Sequence, residues 1–583
     1  MKDTYAFFRM SIVPPGFAVT LLLSTVALPP LALADDDGGG LQPNHLLVSR
    51  SVYDVNPTIV PGVTQLPPNC NPTTFPKTCV KANATGTYPT VFNNDLVDGS
   101  FGVTTKIFLD ELTRSGEFVR SLEVPNSSQP DVGPNSDQMV TSFSSKSELA
   151  LNLSTDGQLV SFMGYLAPVG ALDVSNSNTP FVIDATNPDP GQNYRIVAQV
   201  DARGHFHFTK TNAYSGNNGR AVVINNSNGA NFAYLSGNAG NGGNPQPNGI
   251  IVGGGAQILT PQNKPLSQQV DPGLPTPVGS FNILQLPGIT KTDKIGKDTN
   301  FRGLTIFGNV VYFTKGSGGN GVNTLYFVDT SGFDPQQRPL ACPTTGSGLP
   351  TPLATLPAAP ISYDATQLQK KGVFPYNMCV LNGFPTALSS TTSFPFGVWF
   401  ANATTVYVAD EGNGSNTFSN GTFSDAAAQT TAGLQKWIFD KTTGAWKLAY
   451  VLSAGLDLGV PYTIPNYPTG NNPATNLPWS PATDGLRNIT GRVNRDGTVT
   501  IWAITSTVSG NGDEGADPNK LVRITDALAA TALPANESFR TMRTARSGEV
   551  LRGVSFTPGT GVAPRDNDDD DDGQGNNGQG HDH

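Results

Sequence analysis

The chain has 583 residues, including 64 Gly and 47 Pro, and only 14% of it is charged. Helical bundles and coiled coils are thereby excluded, because they are built from Glu, Lys, Leu and Ala. Thirty Phe, 15 Tyr and five Trp supply a core that a disordered chain lacks, and the formal charge of −10 belongs mostly to the two ends.

Residues 1–34 carry Lys2, Asp3 and Arg9, an apolar run from Phe17 to Leu28, and Ala32-Leu33-Ala34 just before Asp35. That order is a basic n-region, a short h-region and a small-x-small cleavage site, so 1–34 reads as a signal peptide and the protein as secreted. The apolar run is too short for a membrane anchor, and no second run is long enough to span. An acidic, Gly-rich linker follows over 35–44. Residues 38–565 sum to −1, which gives no steering field toward nucleic acid.

From residue 45 onward one unit recurs. "HLLVSRSVYD" from His45 reads as a second strand with no first strand before it. "TKIFLDELTRSGEFVRSLEVP" from Thr105 reads as a third and fourth. Apolar strand, Asn/Asp/Gly turn and apolar strand then recur from Leu149, Arg220, Arg302, Phe396 and Arg487. This is a hairpin signature. Third strands follow at Thr324, Leu434 and Lys520, and a fourth in "KTTGAWKLAYVL" from Lys441. "LRGVSF" from Leu551 is a first strand with nothing after it. The spacing predicts an all-β, six-bladed β-propeller of four-stranded antiparallel blades over 45–557. The C-terminal strand pairs with the N-terminal strands, leaving no open edge. A seventh blade has room in 245–300 or 340–395. The best helix candidate is Asp364–Lys371.

"VYVADEGN" at Val406 resembles the NHL-type propeller repeat, although these blades are much longer. With "FLDELTRSGEFV", "NAYSGNNGRAV" and "GLQKW", the chain also resembles a group of exported bacterial propeller proteins without an assigned activity. The resemblance implies fold and export, and brings no catalytic residue.

Strands are lettered A to D within each blade. The A–B and visible C–D turns are short. The B–C connections (54–101, 166–193, 409–433) and several D–A connections (287–300, 357–394, 453–486) are long. In an up-and-down blade these two classes leave the same face, where binding usually resides. Arg220, Arg302, Arg487 and Arg552 share one register at the start of strand A, near the channel mouth on that face. They suit an anion, or they brace neighbouring blades. Tyr462, Tyr467 and Trp479 lie in 453–486, to stack on a ligand or to pack the loop down.

Two B–C loops carry oxygen donors suited to Ca²⁺: Asp410, Glu411 and Asn413, then Asp513, Glu514 and Asp517. Solvated acidic turns are the plainer reading. Cys70, Cys79, Cys342 and Cys379 suggest disulfides in an exported chain, with Cys70–Cys79 and Cys342–Cys379 the pairings nearest in sequence. His205 and His207 share a strand face but lack a third ligand. "GSGGNG" at 316–321 precedes a strand and is a hairpin loop. The tail over 558–583 has Asp568, Asp570, Asp572 and Gly573 at EF-hand spacing, but Gln579 stands where Glu is required. It reads as disordered.

The first functional reading is a binding or scaffold module acting through the long-loop face. Its partner would be a polysaccharide, a surface protein or an anionic small molecule, not nucleic acid. The alternative is a Ca²⁺-assisted hydrolase of the lactonase or phytase kind, resting on fold analogy. A third is a self-associating surface-layer component.

Overall fold

The computed structural model describes residues 40–53, 60, 62–66, 73, 80–81, 102–134, 136–143, 145, 147–172, 174, 194–211, 213–214, 218–227, 229–238, 254–262, 279–283, 300–316, 322–328, 376–386, 393–473, 475–511 and 514–561. They form six four-stranded antiparallel blades in a propeller ring. Blade 1 orders Glu549–Phe556, Leu46–Val52, Thr104–Leu112 and Phe118–Glu123 from the axis outward. Blade 2 is Asn152–Leu153, Leu159–Tyr165, Arg195–Asp201 and Phe206–Thr211. Blade 3 is Gly219–Asn225, Phe232–Gly237, Ala256–Leu259 and Gly279–Ile283. Blade 4 is Phe301–Phe307, Val310–Lys315, Thr324–Val328 and Tyr376–Val380. Blade 5 is Pro395–Asn402, Thr405–Asp410, Gly433–Asp440 and Ala445–Leu452. Blade 6 is Ala482–Val493, Thr498–Val508, Lys520–Ala527 and Arg540–Thr544.

Turn chemistry sets the hairpins. Gly308 and Asn309 both have positive φ (56° and 62°) between the paired Phe307 and Val310. That is the two-residue turn whose twist matches the strands it joins. In blade 6, Gly497 at φ 80° closes the turn in which Asn494 N–H donates to Thr498 O.

Ring closure is as the sequence predicts. Leu46–Val52 pairs antiparallel with Glu549–Phe556 on one side and with Thr104–Leu112 on the other. Arg50 clamps this blade, with Nε and Nη2 on Asp110 at 2.7 and 3.1 Å and Nη1 on Glu549 at 3.0 Å. Asn519 of blade 6 staples the last strand: its Nδ2 donates to Leu551 O and its Oδ1 accepts Leu551 N–H, both at 2.8 Å.

The inner strands crowd one another. A Cβ on Gly303 would stand 2.2 Å from Phe396 O, one on Gly397 2.4 Å from Arg487 O, and one on Gly553 2.3 Å from Leu149 O. Each glycine abuts the inner strand of the next blade. Strand-B hydroxyls reinforce these contacts: Ser49 Oγ donates to Leu149 O at 2.7 Å and Ser236 Oγ to Arg302 O at 3.2 Å. Thr314 Oγ1 donates to Phe396 O. The cores lie between blades, as in the sheet of Leu47, Ile107, Leu109, Val160, Phe162 and Ile196 between blades 1 and 2.

Two features depart from the sequence reading. The outer strands of blades 3 and 4 pair in parallel, with Asn282 opposite Tyr376, so the two blades share one eight-stranded sheet. Both outer strands thereby lose an open edge. Because Tyr376–Val380 is the fourth strand of blade 4, the D–A connection is 381–394, not 357–394. The segment 329–375 is a long C–D connection, and 260–278 is another in blade 3. Long connections thus leave both faces of these blades. A seventh blade is not needed, since Ala256–Leu259, Gly279–Ile283 and Tyr376–Val380 complete blades 3 and 4. Helix among the described residues is confined to the turns Ser424–Ala427 and Glu514–Ala516; Asp364–Lys371 lies outside them. Among the described residues no helix is long and apolar enough to cross a membrane.

Candidate functional site at the channel mouth

The four arginines do occupy one register. Strand A places Arg552 in blade 1, Arg220 in blade 3, Arg302 in blade 4 and Arg487 in blade 6, each followed by Gly, Ala or Asn. All four are at most 5% exposed. Blades 2 and 5 carry Leu149 and Phe396 at that position, and these two blades contribute an acid instead. Glu148 directly precedes Leu149. Glu411 directly follows strand B of blade 5.

Glu411 lies between two of the arginines. Its Oε1 is 3.4 Å from Arg302 Nη2 and its Oε2 is 3.4 Å from Arg487 Nε. Arg302 also stands over the Phe396 ring, 5.8 Å from the centroid, and its Nη1 reaches past blade 3 to Ser147 Oγ. Arg552 donates to the carbonyls of Phe143 and Ser145, and Asn218 Nδ2 donates to Ser145 Oγ at 3.3 Å. Side chains of blades 1 and 4, with Asn218 just before blade 3, thus hold Phe143, Ser145 and Ser147 across the mouth of the channel.

Glu148 is buried beside them. Its Oε2 accepts Thr141 Oγ1–H at 2.7 Å and Ser142 N–H at 3.2 Å, and its Oε1 accepts the Tyr165 hydroxyl. Burial raises its pKa above the usual carboxylate range, against those hydrogen bonds and the nearby Arg552. Arg195, also fully buried, lies over the Tyr165 ring at 5.2 Å.

Arg220, like Arg552, bonds to uncharged acceptors. Its Nη1 donates to Asn300 Oδ1 and to Phe301 O at 3.3 Å, and its Nη2 to Asn218 Oδ1 at 3.3 Å. All of these acceptors are neutral. Its Nε is buried without a hydrogen-bond partner. Burial first, then the like charge of Arg302, holds it well below the usual guanidinium range. A guanidinium does not shed its proton near neutrality.

The acidic loops fold inward. Asp410 is fully buried; Oδ2 accepts Phe394 N–H at 2.8 Å and Gln435 Nε2–H at 3.0 Å, and Oδ1 accepts Gly412 N–H at 3.0 Å. Burial pushes its carboxyl up to about 7. Asn413 Oδ1 accepts Ser415 N–H at 2.9 Å. Asp517 Oδ1 accepts the Tyr467 hydroxyl at 2.8 Å. Asp513 lies outside the described residues, as does the side chain of Glu514. Among the described residues no three His, Cys, Asp or Glu side chains are grouped to hold a metal.

The loop aromatics do not present a stacking surface. Tyr467 and Trp479 are 6% and 1% exposed, and they share a core with Tyr53, Phe143 and Val550. Tyr462 donates its hydroxyl to Pro518 O at 2.8 Å, with Lys520 Nζ 3.8 Å above its ring. The loop 453–481 therefore packs down onto blades 6 and 1, since apolar rings seek cover. Its rim exposes Asn466, Asn471 and Asn476, and the neighbouring loop exposes Asn413 and Asn416.

Of the cysteines, Cys379 is buried in the fourth strand of blade 4 and is not a free thiol. Cys70, Cys79 and Cys342 lie outside the described residues. His205 Nδ1 stands 3.4 Å from Asp201 Oδ2 on an exposed turn.

Glu148, Ser147 and Arg195 escape a reading by motif. The signal for Glu148 is a register one: the blade that lacks the strand-A arginine carries an acid one residue earlier.

No family model matches the chain, and no curated protein matches it.

Proposed function

We propose that this protein is an exported propeller that works as a binding module through the face carrying the B–C and D–A loops. The observation that supports this most is the convergence of charged side chains from all six blades at the channel mouth on that face. Among the described residues, a rim of exposed asparagine amides lies on the loops 411–432 and 453–481. Uncharged amides donate and accept in one group, which suits the hydroxyls of a polysaccharide better than a charged partner. Export follows from the signal-peptide pattern over 1–34, and the likeness to NHL-type repeats belongs to the same reading. A Cys342–Cys379 bridge, and a Cys70–Cys79 bridge within one B–C connection, fit an oxidising compartment. The Ca²⁺-assisted hydrolase gains no support from Asp410 and Glu411, whose oxygens face N–H and guanidinium donors.

The test is binding of the purified protein to a panel of immobilised bacterial polysaccharides, read by biolayer interferometry. Asn466→Asp with Asn471→Asp should weaken capture, whereas Arg495→Gln on the opposite face should not. Equal loss in both variants, or loss only in the second, would overturn the reading.

A further inference from the structure

Lys436, Asp526 and Glu537 meet between blades 5 and 6, away from the channel. Lys436 lies on the third strand of blade 5 and Asp526 on the third strand of blade 6. Glu537 lies on the connection between Ala527 and Arg540. Lys436 Nζ is 2.9 Å from Asp526 Oδ2, and neither side chain is exposed. Tyr450 donates its hydroxyl to Asp526 Oδ1 at 2.6 Å, and Tyr407 donates to Oδ2. The surroundings are apolar, since Leu434, Leu452, Val499, Val522 and Ile524 belong to the same core between the blades.

Two features set this pair apart from the bridges at the buried carboxylates of Asp110 and Glu411. Those are made by arginine, whose guanidinium keeps its proton. Lys436 carries a primary amine, which becomes a nucleophile when desolvated. The second feature is Glu537. It hydrogen-bonds the Asp526 carboxyl, yet its Oε2 is buried without an N–H or O–H donor. Two carboxyl groups bond one another only when one of them holds a proton. Burial, followed by the bond to Asp526 and the charge there, pushes Glu537 up to about 7, so the proton belongs to Glu537.

A dry amine, a carboxyl group and a proton donor in contact are the parts of an amide condensation. We propose that Lys436 and Asp526 join in an intramolecular isopeptide bond, with Glu537 as the proton shuttle. Desolvation disfavours both charges of the salt bridge, which eases proton transfer from the ammonium to Oδ2. The freed Nζ attacks Cγ. Tyr450, already donating to Oδ1, holds the charge that develops on that oxygen. Glu537 gives its proton to the Oδ2 hydroxyl, the Cγ–Oδ2 bond breaks, and water leaves. Glu537 then recovers a proton from Nζ. One Nζ–Cγ bond forms, one water is lost, and no oxidant or reductant is needed. The fold holds the partners in contact, so the condensation is intramolecular, and the dry site opposes the reverse hydrolysis. Chains in which the amide has not yet formed keep the salt bridge. The inference is independent of the binding-module reading.

The experiment is mass spectrometry of the full-length protein, denatured and reduced, taken fresh from purification and through days of incubation at neutral pH. A species lighter by one water should accumulate, and its tryptic digest should contain a branched peptide joining Lys436 to Asp526. Lys436→Arg keeps the cation and should stay at its sequence mass. Glu537→Gln should convert about a hundredfold more slowly, the scale of one lost general acid. Lys447→Arg, in the exposed pair with Asp440, should convert as the wild type does. Absence of the branched peptide from incubated wild type overturns the proposal, whether or not the variants fold. So does the same loss of water in Lys436→Arg, or conversion of Glu537→Gln at the wild-type rate.

Discussion

The Lys436 ammonium stands 2.9 Å from the Asp526 carboxylate, and neither side chain reaches solvent. Lys436 belongs to the third strand of blade 5 and Asp526 to the third strand of blade 6. The pair ties two blades together far from the axis. Tyr450 donates its hydroxyl to Asp526 Oδ1 at 2.6 Å, Tyr407 bonds Oδ2, and Lys436 Nζ donates to Ala527 O at 2.7 Å.

Removing one partner strands the other in a dry site. Lys436→Met should lower unfolding stability by about 3–5 kcal/mol, the range for a broken buried pair. The double variant Lys436→Met with Asp526→Leu should recover a good part of that loss, since a well-packed apolar replacement is often neutral. Urea unfolding of the wild type, both single variants and the double variant measures it. A loss under about 1 kcal/mol for the single variant would mean that the pair behaves like a solvated one.

Glu537 makes the same region pH-sensitive. Its Oε1 accepts Ala527 N–H at 2.9 Å, and burial, followed by its hydrogen bond to Asp526 and the charge there, pushes its carboxyl up to about 7. The folded state therefore holds this proton more tightly than the unfolded chain does. The contribution is fully present below the unfolded value of about 4.3 and is lost as pH rises through the folded one. Glu537→Gln mimics the protonated form. It should flatten the fall in melting temperature between about pH 5 and 8 and melt above the wild type at the upper end. Parallel melting curves against pH for the two proteins would count against it.

The inner ring should tolerate no added methyl group. Gly303→Ala brings a Cβ to 2.2 Å from the Phe396 carbonyl oxygen, a backbone atom of the next blade. Overpacking of this kind costs about 1–3 kcal/mol, and here it strains the ring itself. Gly421, at φ 82° with open space around it, is the comparison. Gly421→Ala should cost about 1 kcal/mol from backbone conformation alone. Equal denaturation midpoints for the two variants would show that the inner strands separate freely.

The blade pattern was legible because it is local. Hairpin turns such as Gly308-Asn309 announce themselves through residues that accept positive φ, and strands through short apolar runs. The split closing blade was legible because Leu551 begins a strand without a partner and His45 a strand without a predecessor. The arginine register could be read for the same reason, since it repeats with the blades. The short outer strands Gly279–Ile283 and Tyr376–Val380 were not, because the long segments before them carry no regular pattern, and so 357–394 reads as one D–A connection although it contains the fourth strand of blade 4.

The sequence by itself determined the all-β class, six blades and the closure of the ring, since turn chemistry and strand periodicity act over a few residues. Only the tertiary structure decided what those residues touch. Whether Tyr467 and Trp479 would stack on a ligand or lie under a loop depended on Tyr53 and Val550, at opposite ends of the chain. Whether Arg302 would meet an acid depended on Glu411, and its bond to Ser147 on the distance across a closed ring. Such partners lie far apart in sequence, and closing the ring is what brings them within bonding distance.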